Sequence, residues 1–199
     1  MAEPGPDTTA GSYTDRLSRL QTARWKQVLD VQAPYRWNLR RLLGDRRVLD
    51  VGCGIGRNLA NLPAGSVGVD HNQHSVDHCR ALGLTAYTVD EFLALEDAPT
   101  FDGMLAAHLV EHLPPAGAAP ILRPYLRFLS PGARVVLICP QERGYASDAT
   151  HTVFFDHARL RALAEELGLT VEAEQSFPFP RAAGKVFTYN EFVSVARVT

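Results

Sequence analysis

Val48-Leu49-Asp50-Val51-Gly52-Cys53-Gly54-Ile55-Gly56-Arg57 is the stretch on which the fold turns. An apolar, β-branched run ends in an acid and gives way to glycines at alternate positions. Behind them Asn58-Leu59-Ala60-Asn61-Leu62 has the composition of a helix start. The pattern predicts a strand over 46–51, a turn that glycine alone tolerates well, and a helix over 56–62. Such a junction lets a ligand lie against bare backbone at the strand end. A second short strand, Ser66-Val67-Gly68-Val69, ends in Asp70. An acid at that place can accept hydrogen bonds from a ribose diol, so the two segments together point to an adenosine-bearing cofactor.

Downstream of this unit, strand-like and helix-like segments alternate: 73–82, 85–88, 90–96, 101–107, 116–129, 133–139, 156–168, 170–177 and 186–197. Regular β/α alternation implies a parallel sheet with helices on both faces. The last two strands are joined by Phe177-Pro178-Phe179-Pro180 with no helix between them, which predicts an antiparallel C-terminal strand. The expected fold is α/β and Rossmann-like, a seven-stranded, mostly parallel sheet. Upstream, residues 1–12 are rich in Pro, Gly, Thr and Ala and read as a mobile tail. Residues 13–44 read as a helical cap, with one helix over 15–31, a break at Pro34 and a second helix from Tyr35 to Leu43. Residues 45–199 form the main domain, and no internal repeat is visible.

Bulk composition narrows the partners. A chain of 199 residues with 46% hydrophobic content suits one such domain. No apolar run reaches the roughly 18 residues of a membrane helix, and Met1-Ala2-Glu3-Pro4-Gly5-Pro6 is unlike a signal peptide. Cys53, Cys79 and Cys139 form no C-x-x-C pair, which fits a reducing cytoplasm. A formal charge of −2 argues against a nucleic-acid partner. Oligomeric state is open between monomer and homodimer.

A dinucleotide fold asks for G-x-G-x-x-G, and here Arg57 stands at the third glycine's place. The form Asp50-x-Gly52-x-Gly54-x-Gly56 instead resembles the first motif of class I S-adenosylmethionine-dependent methyltransferases, and the resemblance extends over roughly 46–197. It implies that Asp50 serves the cofactor's amino end and Asp70, with His71 beside it, the ribose. It also implies that Asp90 and Glu91, in Thr88-Val89-Asp90-Glu91-Phe92, meet the adenine, with an ordinary helix N-cap as the lesser alternative for Asp90. Phe101-Asp102-Gly103-Met104 leading to His108-Leu109-Val110-Glu111-His112-Leu113 is similar to the family segment beside the methionine half, which places His108 in the cleft. The spacing His108…Glu111-His112 looks like a metal motif. Paired metal histidines, however, need a helix across both, and His108 belongs to a strand end. His74 and His78 read as surface positions of a helix.

Methyl transfer from a sulfonium is an in-line displacement that leaves the protein to align the acceptor, exclude water and remove a proton. For an alcohol that last demand is real, and a neutral histidine is the natural base. Pro140 to His151 supplies one after the fifth strand. Asp148-x-Thr150-His151 with the aromatic pair Phe154-Phe155 resembles bacterial methyltransferases of sugars and polysaccharides, among them those of methylmannose polysaccharide. The expected acceptor is therefore a sugar hydroxyl, with His151 as base and His108 and His112 next in line. Tyr145, Asp148, Glu142 and Tyr13 are expected on the substrate. Mg²⁺ needs only one or two carboxylates, so Glu111, Glu142 and Asp148 are its candidate ligands. A quinone, phenol or fatty-acid acceptor is the alternative, as is a non-catalytic protein that binds S-adenosylmethionine.

Overall fold

A computed structural model describes residues 32–96, 100–114 and 117–199. The expected tail over 1–12 and helix over 15–31, with Tyr13 in the expected cap, lie outside the described residues. Helix α1 (Ala33–Leu43) carries Pro34 in its first turn, where a missing N–H costs nothing, and leads into β1 (Val48–Val51). There follow β2 (Val67–Asp70), α2 (Gln73–Ala81), β3 (Ala86–Thr88), α3 (Val89–Leu93) and β4 (Phe101–Ala107). Next come α4 (Ala118–Leu122), β5 (Leu129–Pro140), α5 (Glu142–Tyr145), α6 (His157–Glu166), β6 (Leu169–Phe177) and β7 (Glu191–Val198).

The seven strands form one sheet in the order β3-β2-β1-β4-β5-β7-β6. Leu49 pairs with both Val67 and Met104, so β1 stands beside β2 and β4, and the chain switches direction across the sheet there. Pairs are parallel from β3 to β5, while β7 runs antiparallel between β5 and β6. The sheet agrees with the sequence expectation.

Alternation along the strands supplies both faces. Leu49, Met104, Val135 and Leu137 face one core with Phe92 and Phe128. Val48, Leu105, Val136 and Ile138 face the other with Leu39 and Leu43 of α1. Strands buried on both sides read as near-continuous apolar runs, as 135–139 does.

Four segments depart from the sequence expectation. The helix expected over 56–62 is only a single 3₁₀ turn, Leu59–Asn61. The glycine turn uses up the connection, with Gly56 N–H bonded to Cys53 O and Ala60 N–H to Gly56 O, and Pro63 then stops it. The helix expected over 116–129 ends at Leu122, because Pro124 lacks an N–H and the chain tightens into 3₁₀ turns over Arg123–Phe128. Strand β5 begins at Leu129 rather than 133. Strand β7 begins only at Glu191, after 3₁₀ turns over Arg181–Lys185.

Candidate active site

The ends of β1 and β2 build one rim of a cleft. Gly52, Gly54 and Gly56 all have positive φ, of 75°, 51° and 79°. A Cβ on Gly56 would lie 2.6 Å from Leu84 Cδ1, so that glycine is demanded by packing; a Cβ on Gly54 would meet nothing within 4 Å. The middle glycine thus faces open space at the rim. Asp70 Oδ2 accepts the Gly54 N–H at 2.8 Å and Oδ1 accepts the Asn72 N–H at 2.9 Å, which pins the turn to β2. A carboxylate has lone pairs beyond these two bonds, so Asp70 can still receive a diol. His71 is exposed, with Nδ1 3.5 Å from Asp70 Oδ1. Asp50 lies beneath the turn, and its Oδ2 is buried with no hydrogen-bond partner. Burial, and then the neighbouring Asp70 charge, push its pKa up to about 7.

At the end of β3 the N-cap of α3 is Thr88, not Asp90, and Glu91 completes a capping box with it. Glu91 also pairs with Arg80 at 2.7 Å. Both the N–H and the carboxylate of Glu91 are therefore spent on the helix end, which leaves Asp90, exposed in the first turn, alone at the expected adenine position.

The opposite rim comes from the end of β4. His108 is the single non-glycine residue with positive φ among those described, at 55°. Its N–H continues the ladder to Ile138 O while the side chain turns between two carboxylates. Nε2 lies 2.8 Å from Glu191 Oε1 and Nδ1 lies 3.4 Å from Glu111 Oε1. Desolvation opposes a charge on the ring, although its side chain is 45% exposed, and the ion contact with Glu111 and the hydrogen bond to Glu191 outweigh it, raising the pKa to about 10. Both ring nitrogens of His108 thus face carboxylate oxygens. With both nitrogens facing carboxylates, the ring is poorly placed to take an acceptor proton, against its expected place in line as a base.

Glu111 is fully buried, and neither of its oxygens makes a hydrogen bond. Burial works against its charge, yet the neighbouring His108 holds its pKa below the usual carboxylate range. The Glu111 backbone carbonyl accepts N–H groups from Thr152 and Val153, and Thr152 Oγ1 donates to Leu113 O at 2.7 Å. These bonds tie the 141–153 loop to the end of β4. They bring the rings of His112 and His151 to 4.7 Å between centroids. His151 Nδ1 donates to Tyr145 O at 2.7 Å, and the Tyr145 ring stacks on it at 5.3 Å. Thr150 Oγ1 donates to Asp148 Oδ1 at 2.8 Å and lies 3.1 Å from His112 Nδ1. Burial, above all, depresses the His112 pKa.

The expected magnesium set does not come together. Glu142 pairs with Arg181, and Asp148 is bonded to the Thr150 N–H and hydroxyl. The side chains that converge are Glu111, His112 and His151, whose candidate ligand atoms all lie within 4.8 Å of one another. Glu191 is the site residue that sequence reasoning missed. An isolated acid opening the apolar run Phe192-Val193 was its one signal. His74 is exposed on α2, as expected, and His78 is half-buried. Among the described residues no helix is long and apolar enough to cross a membrane.

A family model described as a methyltransferase domain matches residues 22–174. A ubiquinone biosynthesis O-methyltransferase of Alkalilimnicola ehrlichii is 30% identical, over 68% of this chain and 64% of that protein. A ubiquinone biosynthesis O-methyltransferase of Xanthomonas oryzae pv. oryzae is 35% identical, over 48% of this chain and 43% of that protein. The chain thus spans less than two thirds of the length of these curated relatives. Its fold is similar to that of magnesium protoporphyrin IX methyltransferase from Synechocystis PCC 6803 with bound S-adenosylhomocysteine, with a TM-score of 0.68, 15% identity and 97% of each chain covered.

Proposed function

This chain belongs to the methyltransferase family whose domain matches it, and from that premise we propose that it transfers the methyl group of S-adenosylmethionine to a hydroxyl oxygen of a small acceptor. One observation carries the reading: the glycine turn and the Glu111–His112–His151 cluster stand at neighbouring strand ends, with Leu109 packed so close to Gly52 that a Cβ there would lie 2.8 Å from it. In this arrangement Asp70 takes the ribose, Asp90 the adenine amino group and Asp50 the ammonium of the methionine half. The S–CH₃ bond breaks as the new C–O bond forms, and the hydroxyl proton leaves on the histidine side. With Nδ1–H given to Tyr145 O, His151 keeps its Nε2 lone pair for that proton.

The acceptor we favour is a phenolic hydroxyl. Much of the loop polarity that pointed to a sugar is spent within the protein: Gln141 is buried against Glu191 O and Ser176, Glu142 pairs with Arg181, and Asp148 binds Thr150. The relatives' names, ubiquinone biosynthesis O-methyltransferase, support the phenolic reading. A sugar hydroxyl is the second reading, supported by the exposed Arg143 and Ser147 of the same loop. Labelled S-adenosylmethionine and a panel of catechols, prenylated phenols and glycosides, read by mass spectrometry, test the two. O-methylated phenol is expected; methylation of glycosides alone would establish the second reading, and methylation only on nitrogen or sulfur would overturn both.

A further inference from the structure

We infer that Glu111, His112 and His151 form a binding site for one divalent transition cation of the zinc or manganese class, on the acceptor side of the cleft. The inference rests on the acceptor reading for the use of the cation but not for its binding.

The first support is convergence from separate parts of the chain. Glu111 and His112 lie in a 3₁₀ turn after β4, and His151 arrives from the loop after α5, tied in by Thr152 and Val153. Their candidate ligand atoms, within 4.8 Å of one another, need to close by about 1 Å to reach the separations that metal–ligand bonds of about 2.0–2.2 Å impose.

The second support is the state of each ligand. A metal-bound histidine usually donates its other ring N–H to a carbonyl, hydroxyl or carboxylate, which fixes tautomer and orientation. Both histidines are held in this way. His151 Nδ1–H goes to Tyr145 O, whereas His112 Nδ1 faces Thr150 O at 3.3 Å and Thr150 Oγ1 at 3.1 Å. The Thr150 hydroxyl hydrogen is spent on Asp148, so Oγ1 offers His112 a lone pair and Nδ1 is the protonated nitrogen. Each ring therefore turns an unprotonated Nε2 outward from its anchor.

The third support is charge. Glu111 is a wholly buried carboxylate with no hydrogen bond, and a buried anion without partners is costly. His108 offers only a 3.4 Å ion contact and gives its better bond to Glu191. Even a fully charged His108 could bring only one positive charge to the two carboxylates it faces, and a cation on Glu111 would bring the rest.

The ligand set selects the class of metal. Two neutral imidazoles and one carboxylate suit zinc, manganese or iron(II), whereas magnesium prefers an all-oxygen octahedral shell rich in water. Three protein ligands also leave a coordination position open, as sites that engage a substrate require. A cation there would take the His151 Nε2 lone pair and, by acidifying a hydroxyl bound in the open position, would let the acceptor proton pass to solvent instead.

The test is direct metal binding to the untagged full chain after exhaustive dialysis against EDTA. Zn²⁺ is titrated by calorimetry, and Co²⁺ is followed by its ligand-field absorption. One equivalent should bind, with Mg²⁺ failing to displace it. His151→Ala, on a half-exposed loop, and Glu111→Gln should each weaken Zn²⁺ by more than about tenfold, while a His74→Ala/His78→Ala double variant binds as the parent does. S-adenosylhomocysteine affinity and the melting curve report whether each variant is folded. Absence of saturable Zn²⁺ uptake, or uptake indifferent to both His151→Ala and Glu111→Gln, overturns the site. Binding of one equivalent by a protein that methylates no hydroxyl would sustain the site and overturn the acceptor reading instead.

Discussion

Asp50 and Asp70 are two acids under one turn, and their surroundings divide their duties. Asp70 has two backbone N–H donors and is fixed; Asp50 has an orphaned, buried oxygen and holds its proton up to about pH 7. The linkage has a definite sign. An unfolded Asp titrates near 3.9, so between about pH 4 and 7 the native chain binds more protons than the unfolded one. Asp50 therefore costs nothing below that window, and stability falls as pH rises through it, by up to about 4 kcal/mol. Urea denaturation across this range should show the wild type losing stability relative to Asp50→Asn, with the difference levelling off above pH 7. A constant difference would mean that Asp50 is not the proton-holding group. Asp70→Ala should weaken S-adenosylhomocysteine by about ten- to hundredfold, since charge-assisted hydrogen bonds are worth about 1.5–3 kcal/mol. It should also lower the melting temperature, because the Gly54 N–H loses its acceptor. Unchanged affinity by calorimetry would remove Asp70 from the ribose role.

At the scale of the element, the glycine turn does two separable jobs. Gly56→Ala forces a left-handed residue and drives a Cβ into Leu84 and Cys79, so it should cost about 3 kcal/mol or more in thermal unfolding. Gly54→Ala carries only the backbone strain, roughly 1–2 kcal/mol, yet places a methyl on the open rim. It should keep a cooperative melt and lose S-adenosylhomocysteine binding; equal loss of stability in the two variants would refute the division. The element pattern was largely legible in the sequence, because apolar alternation and turn residues are local signals. For the two shortened helices, a proline or a glycine turn had the deciding effect. Pro63 and Pro124 shortened helices that apolar spacing alone extends, since spacing records a face and not a missing N–H.

The molecule as a whole depends on its C-terminal hairpin more than the cofactor motifs suggest. Strand β7 covers the edge of β5 along 134–140 and delivers Glu191 to His108. A chain cut after Phe177 should lose both: an uncovered, apolar β5 edge invites aggregation, and no cooperative melting transition is expected. A soluble truncated protein that still melts cooperatively would show that the remaining strands suffice. By itself the sequence determined the β/α order and the acids at the ends of β1, β2 and β3, since each sits within a few residues of the glycine or strand that marks it. Only the tertiary structure decided that Glu191 holds His108, that Glu142 is spent on Arg181, and that His112 and His151 meet over Glu111. Those pairs are separated by tens of residues, and what joins them is strand pairing, as between β5 and β7, and backbone hydrogen bonding between loops, such as Thr152 and Val153 to Glu111 O, which leaves no periodic trace along the chain.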